Sequence, residues 1–328
     1  MTIDVEKKEI RAVALTPIVQ QTAFWAEVKS YQGIESKAFD FKVKNSEVYV
    51  DDLTKTSTYA DLLILQQALN KDTSIAYVPY GPELEPSEEV QGEFLEELSE
   101  ILRSYLPKSC IGIRYDLAWQ SHWDKPENYN ESNTWEGPPD RKYQEFRLNY
   151  NTNNWNLKRA NSDILPAHTV YLDLIPDEQT LLARMKPKTR YNIHLAARKG
   201  VTVRRAGMEE LPIWYKLYSD TAQRNGIFLN DIEYFKSVLA AKADDTLSPA
   251  TVELLLAEKD GEALAAIFLV LSGNRGTYLY GASSSQHRNC MPTYALQWEA
   301  IRIAKASGCT EYDMFGVSPG PEPSHPMY

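Results

Sequence analysis

The first half of the chain shows two hydrophobic periods, one typical of helices and one typical of strands. Apolar residues recur at helical spacing over 20–31 and 88–105, and the acidic residues of the second segment fall on its polar face. Strand patterns cover three further segments, 61–69, 73–80 and 110–119. A turn at 70–72 joins the first two strands, so the pattern predicts a hairpin, a helix and a third strand.

The second half predicts a longer series of elements. Helical periodicity predicts five helices, over 177–185, 189–199, 208–225, 231–243 and 291–307. Strand patterns predict six strands, at 168–174 and 201–206, three within 251–284, and one at 309–317. Tyr278 and Tyr280 are two residues apart in one strand, which predicts that they share a face. Between the halves, 119–160 has little periodicity and is predicted to be a linker.

The two halves repeat one order of elements. A hairpin, an amphipathic helix and a strand occur at 61–80, 88–105 and 110–116, and again at 263–282, 291–307 and 309–315. The last strand of each set carries a Tyr-Asp pair, Tyr115-Asp116 and Tyr312-Asp313. A length of 328 residues also exceeds that of most single domains. We therefore predict two copies of one mixed α/β (α+β) domain, 1–160 and 161–316, with 317–328 returning to the first domain.

The composition indicates an acidic globular protein of a reducing compartment. A formal net charge of −10 argues against general coating of nucleic acid. The N-terminus lacks the apolar segment of a signal peptide, and no stretch approaches the length of a membrane span. Three widely spaced cysteines argue against a disulfide framework. These features together predict a cytoplasmic protein. His194, His287 and His325 show no metal-ligand spacing, so we predict no metal site.

Positive charge is concentrated in one segment. Between 186 and 205 there are seven Lys or Arg residues and no Asp or Glu. Helical spacing places three of these side chains and a histidine on one face: Lys186, Arg190, His194 and Arg198. Lys186, Lys188 and Arg190 stand at a loop-to-helix junction, where they suit a bound pyrophosphate. The alternative is a solvated helix face, although such a face usually carries charges of both signs.

The turn before the last helix bears on the type of acyl donor. A hairpin, a turn and a helix form the arrangement by which acyl-CoA N-acyltransferases (the GNAT fold) hold pyrophosphate with backbone N–H groups. Arg288 has the position of a basic residue in that turn, but Met291 and Thr293 stand where glycines allow close approach. The pattern therefore predicts N-acyl transfer from a donor other than CoA, with Arg288 near an anion site. Simple capping of the helix by Thr293 is the alternative there.

Four stretches then resemble a known family. They are "MKPKTRYNIHLAARKGVTVRR", "YLYGASSSQHRNCMPTYALQWEAIRIAKASGCTEYDMFGV", "SIAYVPYGP" and the terminal "HPMY". They resemble the FemABX family of peptidoglycan-bridge aminoacyltransferases, from about Gln20 to Tyr328. The resemblance implies two tandem GNAT-like domains. The helices at 208–243 are short and lack heptads, so the chain looks like a member without a coiled-coil arm.

The resemblance also implies substrates. The donor would be aminoacyl-tRNA, with no further cofactor. The acceptor would be the side-chain amine of the stem peptide in UDP-MurNAc-pentapeptide or a lipid-linked muropeptide, with at most peripheral contact with the inner face of the membrane. An acyl-CoA-dependent N-acyltransferase and a non-catalytic precursor-binding member remain the alternatives.

Particular residues receive roles from the same comparison. Lys29 and Arg190 would contact the precursor's phosphates, while Arg204 and Arg205 stay open to tRNA. Asp116 would hold the acceptor ammonium. The roles of two tyrosines are inferred from their positions at strand ends. Tyr80 is predicted to lie at a rim, and Tyr280 is predicted to be a catalytic residue that holds substrate or passes a proton. The family pattern continues beyond the HPMY-like motif to a Phe-Lys pair that stabilises the tetrahedral intermediate, whereas this sequence ends at Tyr328.

Overall fold

A computed structural model describes residues 1–52, 54–120, 150–226 and 228–317. The chain forms two compact units. The first unit contains Met1–Ile10 and Glu35–Leu165, and the second contains Arg11–Ile34 and Pro166–Tyr328. The predicted limits keep 11–34 with the first half, whereas the contacts place this segment in the second unit.

The first unit is a five-stranded sheet covered by one long helix. Its strands are β1 (Ile3–Lys8), β2 (Glu35–Lys44), β3 (Ser57–Ala68), β4 (Ser74–Pro79) and β5 (Cys110–Asp116). Its helices are the short α2 (Asn45–Val48) and the long α3 (Gln91–Arg103). The strand order is β1-β2-β3-β4-β5, antiparallel except for the parallel pair β4 and β5.

The core of the first unit lies between the sheet and α3. Alternating Phe39 and Phe41 on β2 point to this side together with Leu62 and Ile64 on β3, and all four are buried. The apolar stripe of α3 covers them, with the ring of Phe94 5.8 Å from that of Phe41. The alternation of buried and less buried side chains on β2 is therefore what a strand with one buried face requires. Neither β1 nor β2 was among the predicted strands.

The second unit has a six-stranded sheet. Its strands are β6 (Tyr171–Asp173), β7 (Thr202–Ala206), β8 (Thr251–Lys259), β9 (Glu262–Ser272), β10 (Arg275–Ser283) and β11 (Glu311–Asp313). Its helices are α1 (Ala23–Tyr31), α4 (Glu178–Arg184), α5 (Pro187–Arg198), α6 (Leu211–Asn225), α7 (Ile232–Ala240) and α8 (Pro292–Ala306). The strand order is β6-β11-β10-β9-β8-β7, and only β10 and β11 are parallel.

The predicted repetition of elements is confirmed. In the first unit the hairpin β3-β4 is followed by α3 and by β5, which pairs in parallel with β4. In the second unit the hairpin β9-β10 is followed by α8 and by β11, which pairs in parallel with β10. The crossover helix is what permits a parallel partner, because a tight turn can only return a strand antiparallel. The predicted mixed α/β fold with two sheets is thus confirmed.

A bulge in β10 overturns one expectation about its tyrosines. Tyr278 pairs with Leu269 but Tyr280 pairs with Phe268, so one residue is inserted between them. Tyr278 therefore packs against the α8 side of the sheet, and Tyr280 contacts Phe235 on α7. A Cβ on Gly281 would lie 1.8 Å from the Tyr278 hydroxyl oxygen, so this side chain crosses over the glycine. The prediction that both tyrosines share a face was wrong.

The segment 11–34 is joined to the second unit by several hydrogen bonds. The Ala23 amide donates to Ser248 Oγ at 2.9 Å, and Ser272 Oγ donates to the Thr16 carbonyl at 2.9 Å. The helix α1 begins after Thr22, whose Oγ1 accepts from the Trp25 amide, and it packs on α7. Lys29, on α1, therefore belongs to the second unit.

Two predicted segments fall largely outside the described residues. The linker at 119–160 is described only at its two ends, and of the segment 317–328 only Val317 is described. No helix within the described ranges is long and apolar enough to cross a bilayer.

Candidate active site

The eight predicted site residues are divided between the two units. Tyr80 and Asp116 lie in the first unit, at the ends of the parallel strands β4 and β5. The other six lie in the second unit: Lys29, Lys186, Lys188, Arg190, Tyr280 and Arg288. The structure therefore presents one cluster around Asp116, one around Lys29 and Tyr280, and a basic helix.

Asp116 is held by its own chain. Its Oδ2 accepts from Tyr77 Oη at 2.9 Å and from the amides of Ile164 and Leu165 at 3.1 and 2.9 Å. Its Oδ1 accepts from Arg114 Nε at 3.3 Å. A carboxylate has about four acceptor positions, so Oδ2 is saturated and Oδ1 retains capacity for one further donor. The predicted contact with an acceptor ammonium remains a prediction, and Oδ1 is the atom that could make it.

The tyrosines of the first unit surround this carboxylate differently. Burial, reinforced by the negative charge of Asp116, raises the pKa of Tyr77, so this phenol stays protonated and donates to the carboxylate. Tyr80 has a left-handed backbone (φ 49°) immediately before the cis Gly81-Pro82 peptide bond. Tyr80 thus ends β4 at a sharp change of direction, consistent with the predicted rim position.

Lys29 is the most unusual cation of the second unit. Its Nζ lies 4.8 Å from the centre of the Trp25 ring and 5.2 Å from that of Tyr234, and it donates to Gln32 Oε1 at 2.9 Å. Among the described residues no carboxylate forms an ion pair with it. Burial lowers the pKa of Lys29 to about 8. The ammonium therefore has two ring faces and one neutral acceptor in place of a counter-ion.

A hydrogen-bond chain fixes the surroundings of Lys29. Gln32 Nε2 donates to Ser237 Oγ at 2.9 Å, and Ser237 Oγ donates to the Tyr234 carbonyl at 2.6 Å. These bonds join α1 to α7 and hold the Tyr234 ring beside the ammonium. Because the contacts join residues about 200 positions apart, the helix pattern of either segment alone gave no sign of them.

Tyr280 adjoins the same cluster through Tyr234. The two hydroxyl oxygens are 2.5 Å apart, and the two rings meet edge to face at 5.9 Å. Phe235 and Phe268 close the other side of the Tyr280 ring. Burial raises the pKa of both Tyr234 and Tyr280, so neither phenol ionises at neutral pH. Tyr234 was not among the predicted residues, and it is the link between Lys29 and Tyr280.

Arg190 is occupied by the preceding helix. Its Nη1 donates to the carbonyls of Ala183 at 3.0 Å and Leu182 at 3.4 Å, and also to that of Met185. A guanidinium at the C-terminus of α4 supplies donors to the last carbonyls of the helix, one of which, that of Leu182, also accepts from the Met185 amide. The predicted phosphate contact of Arg190 is untested, and its side chain meanwhile connects α4 to α5.

The remaining basic residues of 186–205 separate into two groups. Lys186 and Lys188 lie at the start of α5 and are exposed. On β7, Arg204 forms ion pairs with Glu210 and Glu258, and Arg205 forms one with Glu253. The arginines on β7 are therefore neutralised by acids of their own unit, whereas within the described part of the chain Lys188 forms no ion pair.

The turn before α8 differs from a CoA cradle. Both His287 and Met291 have left-handed backbones, with φ of 51° and 54°, in positions where glycine is unstrained. The helix begins with Pro292, and no side chain caps its N-terminus, so the alternative of capping by Thr293 is not observed. Arg288 is exposed within this turn. No group of His, Cys, Asp or Glu among the described residues has the arrangement of a metal site.

Comparisons with known proteins agree with this architecture. Lipid II:glycine glycyltransferase of Staphylococcus epidermidis is 25% identical over 222 residues, 50% of this chain and 53% of that protein. The chain thus spans about half the length of this relative. UDP-N-acetylmuramoylpentapeptide-lysine N(6)-alanyltransferase of Weissella viridescens is 27% identical over 285 residues, 84% of this chain and 77% of that protein.

Structural and family comparisons lead to the same group. A crystal structure of FemX matches with a TM-score of 0.64 at 18% identity, covering 98% of this chain and 91% of that one, which shows a shared fold. An acetyltransferase (GNAT) domain model matches residues 183–323, as the predicted GNAT-like architecture requires. The FemAB family model matches residues 15–248, well over half of the chain. The resemblance seen in the motifs is confirmed, and the protein belongs to the FemAB family.

Proposed function

We propose that this protein transfers an aminoacyl group from aminoacyl-tRNA to the side-chain amine of the stem peptide in a peptidoglycan precursor. The amine nitrogen attacks the ester carbonyl, an amide bond forms, the ester C–O bond breaks, and the proton released by the amine is balanced by protonation of the ribose oxygen. No cofactor beyond the charged tRNA is needed for this exchange. We propose the nucleotide-linked muropeptide as the first acceptor to test, because the relative matched over 77% of its length is named for that substrate.

The observation that carries the proposal is the ammonium of Lys29. A partly buried cation without a carboxylate partner is costly to the fold unless an anion binds there. Gln32 uses one of its three N–H donors, so two remain for phosphate oxygens. This supports a site for the precursor's pyrophosphate at Lys29, beside the Tyr234 and Tyr280 hydroxyls.

Tyr280 is proposed to act as a neutral phenol. Its pKa is raised, so it can donate a hydrogen bond to the substrate and accept one from Tyr234, but it does not serve as an anionic base. A donor in that position could stabilise the oxygen that becomes negative in the tetrahedral intermediate.

A transfer assay tests the proposal. Purified protein is supplied with UDP-MurNAc-pentapeptide or lipid-linked muropeptide and a mixture of charged tRNAs, and products are analysed by mass. We expect a product heavier by one amino-acid residue, abolished by RNase and reduced about 100-fold in kcat/KM for the precursor by Lys29→Met, the loss of a charge-assisted contact. Lys236→Met, at an exposed lysine of α7, is the matched control.

Two outcomes would contradict the proposal. Acyl transfer from acetyl-CoA without tRNA would indicate the acyl-CoA-dependent alternative. Binding of the precursor without transfer, by a chain that includes the segment following the HPMY-like motif in relatives, would indicate a precursor-binding protein.

A further inference from the structure

The outer face of α5 combines cations with an exposed aromatic ring. This surface, here called the α5 face, consists of Lys188, Tyr191, His194, Arg198 and Lys199. Tyr191 is 56% exposed, and the Arg198 guanidinium lies over its ring, 5.5 Å from the centre. The opposite side of the helix, with Ile193 and Ala196, is buried against α8. The exposed face therefore carries no apolar stripe of its own.

The cations of this face lack internal counter-ions. Among the described residues, no ion pair involves Lys188, Arg198 or Lys199. Some exposed arginines of the second unit are paired with acids, as Arg302 is with Glu178 and Glu299, whereas Arg224 and Arg288 form no ion pair among the described residues. On a chain of net charge −10, an unneutralised basic surface is an exception that charge complementarity with an external polyanion would explain.

We propose that the α5 face binds the phosphates and one base or ribose of the aminoacyl-tRNA, while Lys29 serves the precursor. The inference rests on the proposed function for its choice of RNA. Lys188 and Arg198 are ten residues apart, which on a helix is about 15 Å, enough to contact successive phosphates of one strand. Tyr191, between them, offers a stacking surface that Arg198 already orients.

An anionic membrane surface fits the α5 face less well. Interfacial helices bury an apolar face in the bilayer, whereas the apolar face of α5 is already buried against α8. A basic strip with a single aromatic ring is instead typical of contacts with a nucleic-acid backbone and its bases.

The test measures binding of deacylated bacterial tRNA to the full chain by fluorescence anisotropy at several salt concentrations. The triple variant Lys188→Gln, Arg198→Gln, Lys199→Gln is compared with a control of equal charge change, Lys216→Gln, Lys236→Gln, Lys242→Gln, whose lysines are exposed elsewhere in the same unit. We expect the test variant to lose at least about tenfold in affinity and to lower the salt slope by about 2 to 3, against little change in the control.

A second variant separates stacking from charge. Tyr191→Ala is expected to weaken tRNA binding about tenfold, and Tyr191→Phe to retain most of it, because the ring rather than the hydroxyl provides the stacking surface. In the transfer assay the triple variant should raise KM for charged tRNA and leave KM for the muropeptide unchanged.

Three results would overturn the inference. The first is unchanged tRNA affinity in the triple variant, and the second is an equal loss of affinity in the control variant. The third is a triple variant that loses binding to phosphatidylglycerol vesicles while its tRNA binding stays intact. The proposed function fails separately, if wild-type protein binds tRNA through the α5 face but transfers nothing.

Discussion

Asp116 in the first unit and Lys29 in the second are both partly buried charges, but Asp116 has more hydrogen-bond partners, four donors against one acceptor. Four donors from its own unit reach the Asp116 carboxylate, and they connect β4, β5 and the segment at 164–165. Lys29 has one amide oxygen and two ring faces. The difference indicates that the first charge contributes to the fold, whereas the second would gain its missing partner from the bound anion of the proposed function.

Substitution of Lys29 gives the largest expected contrast. Lys29→Met should lower kcat/KM for the precursor about 100-fold while leaving the melting temperature unchanged or raised, since an unpaired ammonium is replaced by an apolar chain. Steady-state kinetics measures the change in kcat/KM, and calorimetry measures the change in melting temperature. A large drop in melting temperature with normal kinetics would show that Lys29 is structural and would erase the contrast.

Asp116→Asn should show the opposite pattern. The amide loses the negative charge that two backbone amides and Arg114 share, so we expect the free energy of unfolding to fall by about 2–3 kcal/mol. Urea denaturation measures this, with Asp173→Asn, at an exposed carboxylate, as the control. An unchanged unfolding midpoint together with a large loss of kcat would instead favour the predicted contact with the acceptor ammonium.

A pair of tyrosine substitutions sharpens the comparison. Tyr280→Phe removes the hydroxyl beside Tyr234 and should lower transfer about tenfold with little effect on stability. Tyr77→Phe removes one donor to Asp116 and should lower the free energy of unfolding by about 1 kcal/mol, without changing KM for the precursor. Equal effects of both on KM would contradict the distinction between the clusters.

The dependence of stability on pH gives the smallest effect. Lys29 has a pKa of about 8 in the folded chain and 10.5 as its ordinary value, so between these pH values the unfolded chain holds the extra proton. Stability from this group therefore rises with pH across that window, by about 1 kcal/mol once solvent screening is included. The contribution of Lys29 is the difference in the free energy of unfolding between wild type and Lys29→Met, measured by urea denaturation from pH 7 to about 10.5.

The same titration should appear in substrate binding. As Lys29 loses its proton near pH 8, the affinity for phosphate should fall, so KM for the precursor should rise above that pH in wild type but not in Lys29→Met. A KM that stays flat to pH 9 would contradict the assignment of Lys29 to the pyrophosphate.

The helices and the repeated hairpin-helix-strand order could be predicted because each depends on local periodicity. The alternation of Phe39, Phe41 and Val43 was an available signal for β2 that the predicted elements left out. The bulge between Tyr278 and Tyr280 could not be seen in the same way, because no Gly or Pro lies between them to mark it. One inserted residue is enough to reverse the face of every later side chain.

The candidate site divides along similar lines. Lys29 was predicted from the family resemblance and Tyr280 from its position at a strand end, but their connection through Tyr234 depends on contacts that are remote in sequence. The positive charge at 186–205 was visible in the sequence. Arg204 and Arg205 are neutralised by Glu258 and Glu253, which only the pairing of β7 with β8 brings near. The cations of the α5 face form no such pairs with any acid in the described ranges.

The membership of α1 in the second unit has a consequence for biosynthesis. The Ala23 amide and its acceptor Ser248 are 225 residues apart, so at a translation rate of about 5–20 residues per second the helix leaves the ribosome some 10–45 s before its partner exists. For most of that interval α1, whose Phe24, Trp25 and Val28 are buried in the finished protein, lacks the helix α7 on which it packs. A nascent chain halted before Ser248 should therefore present α1 to chaperones, and one released at full length should hide it.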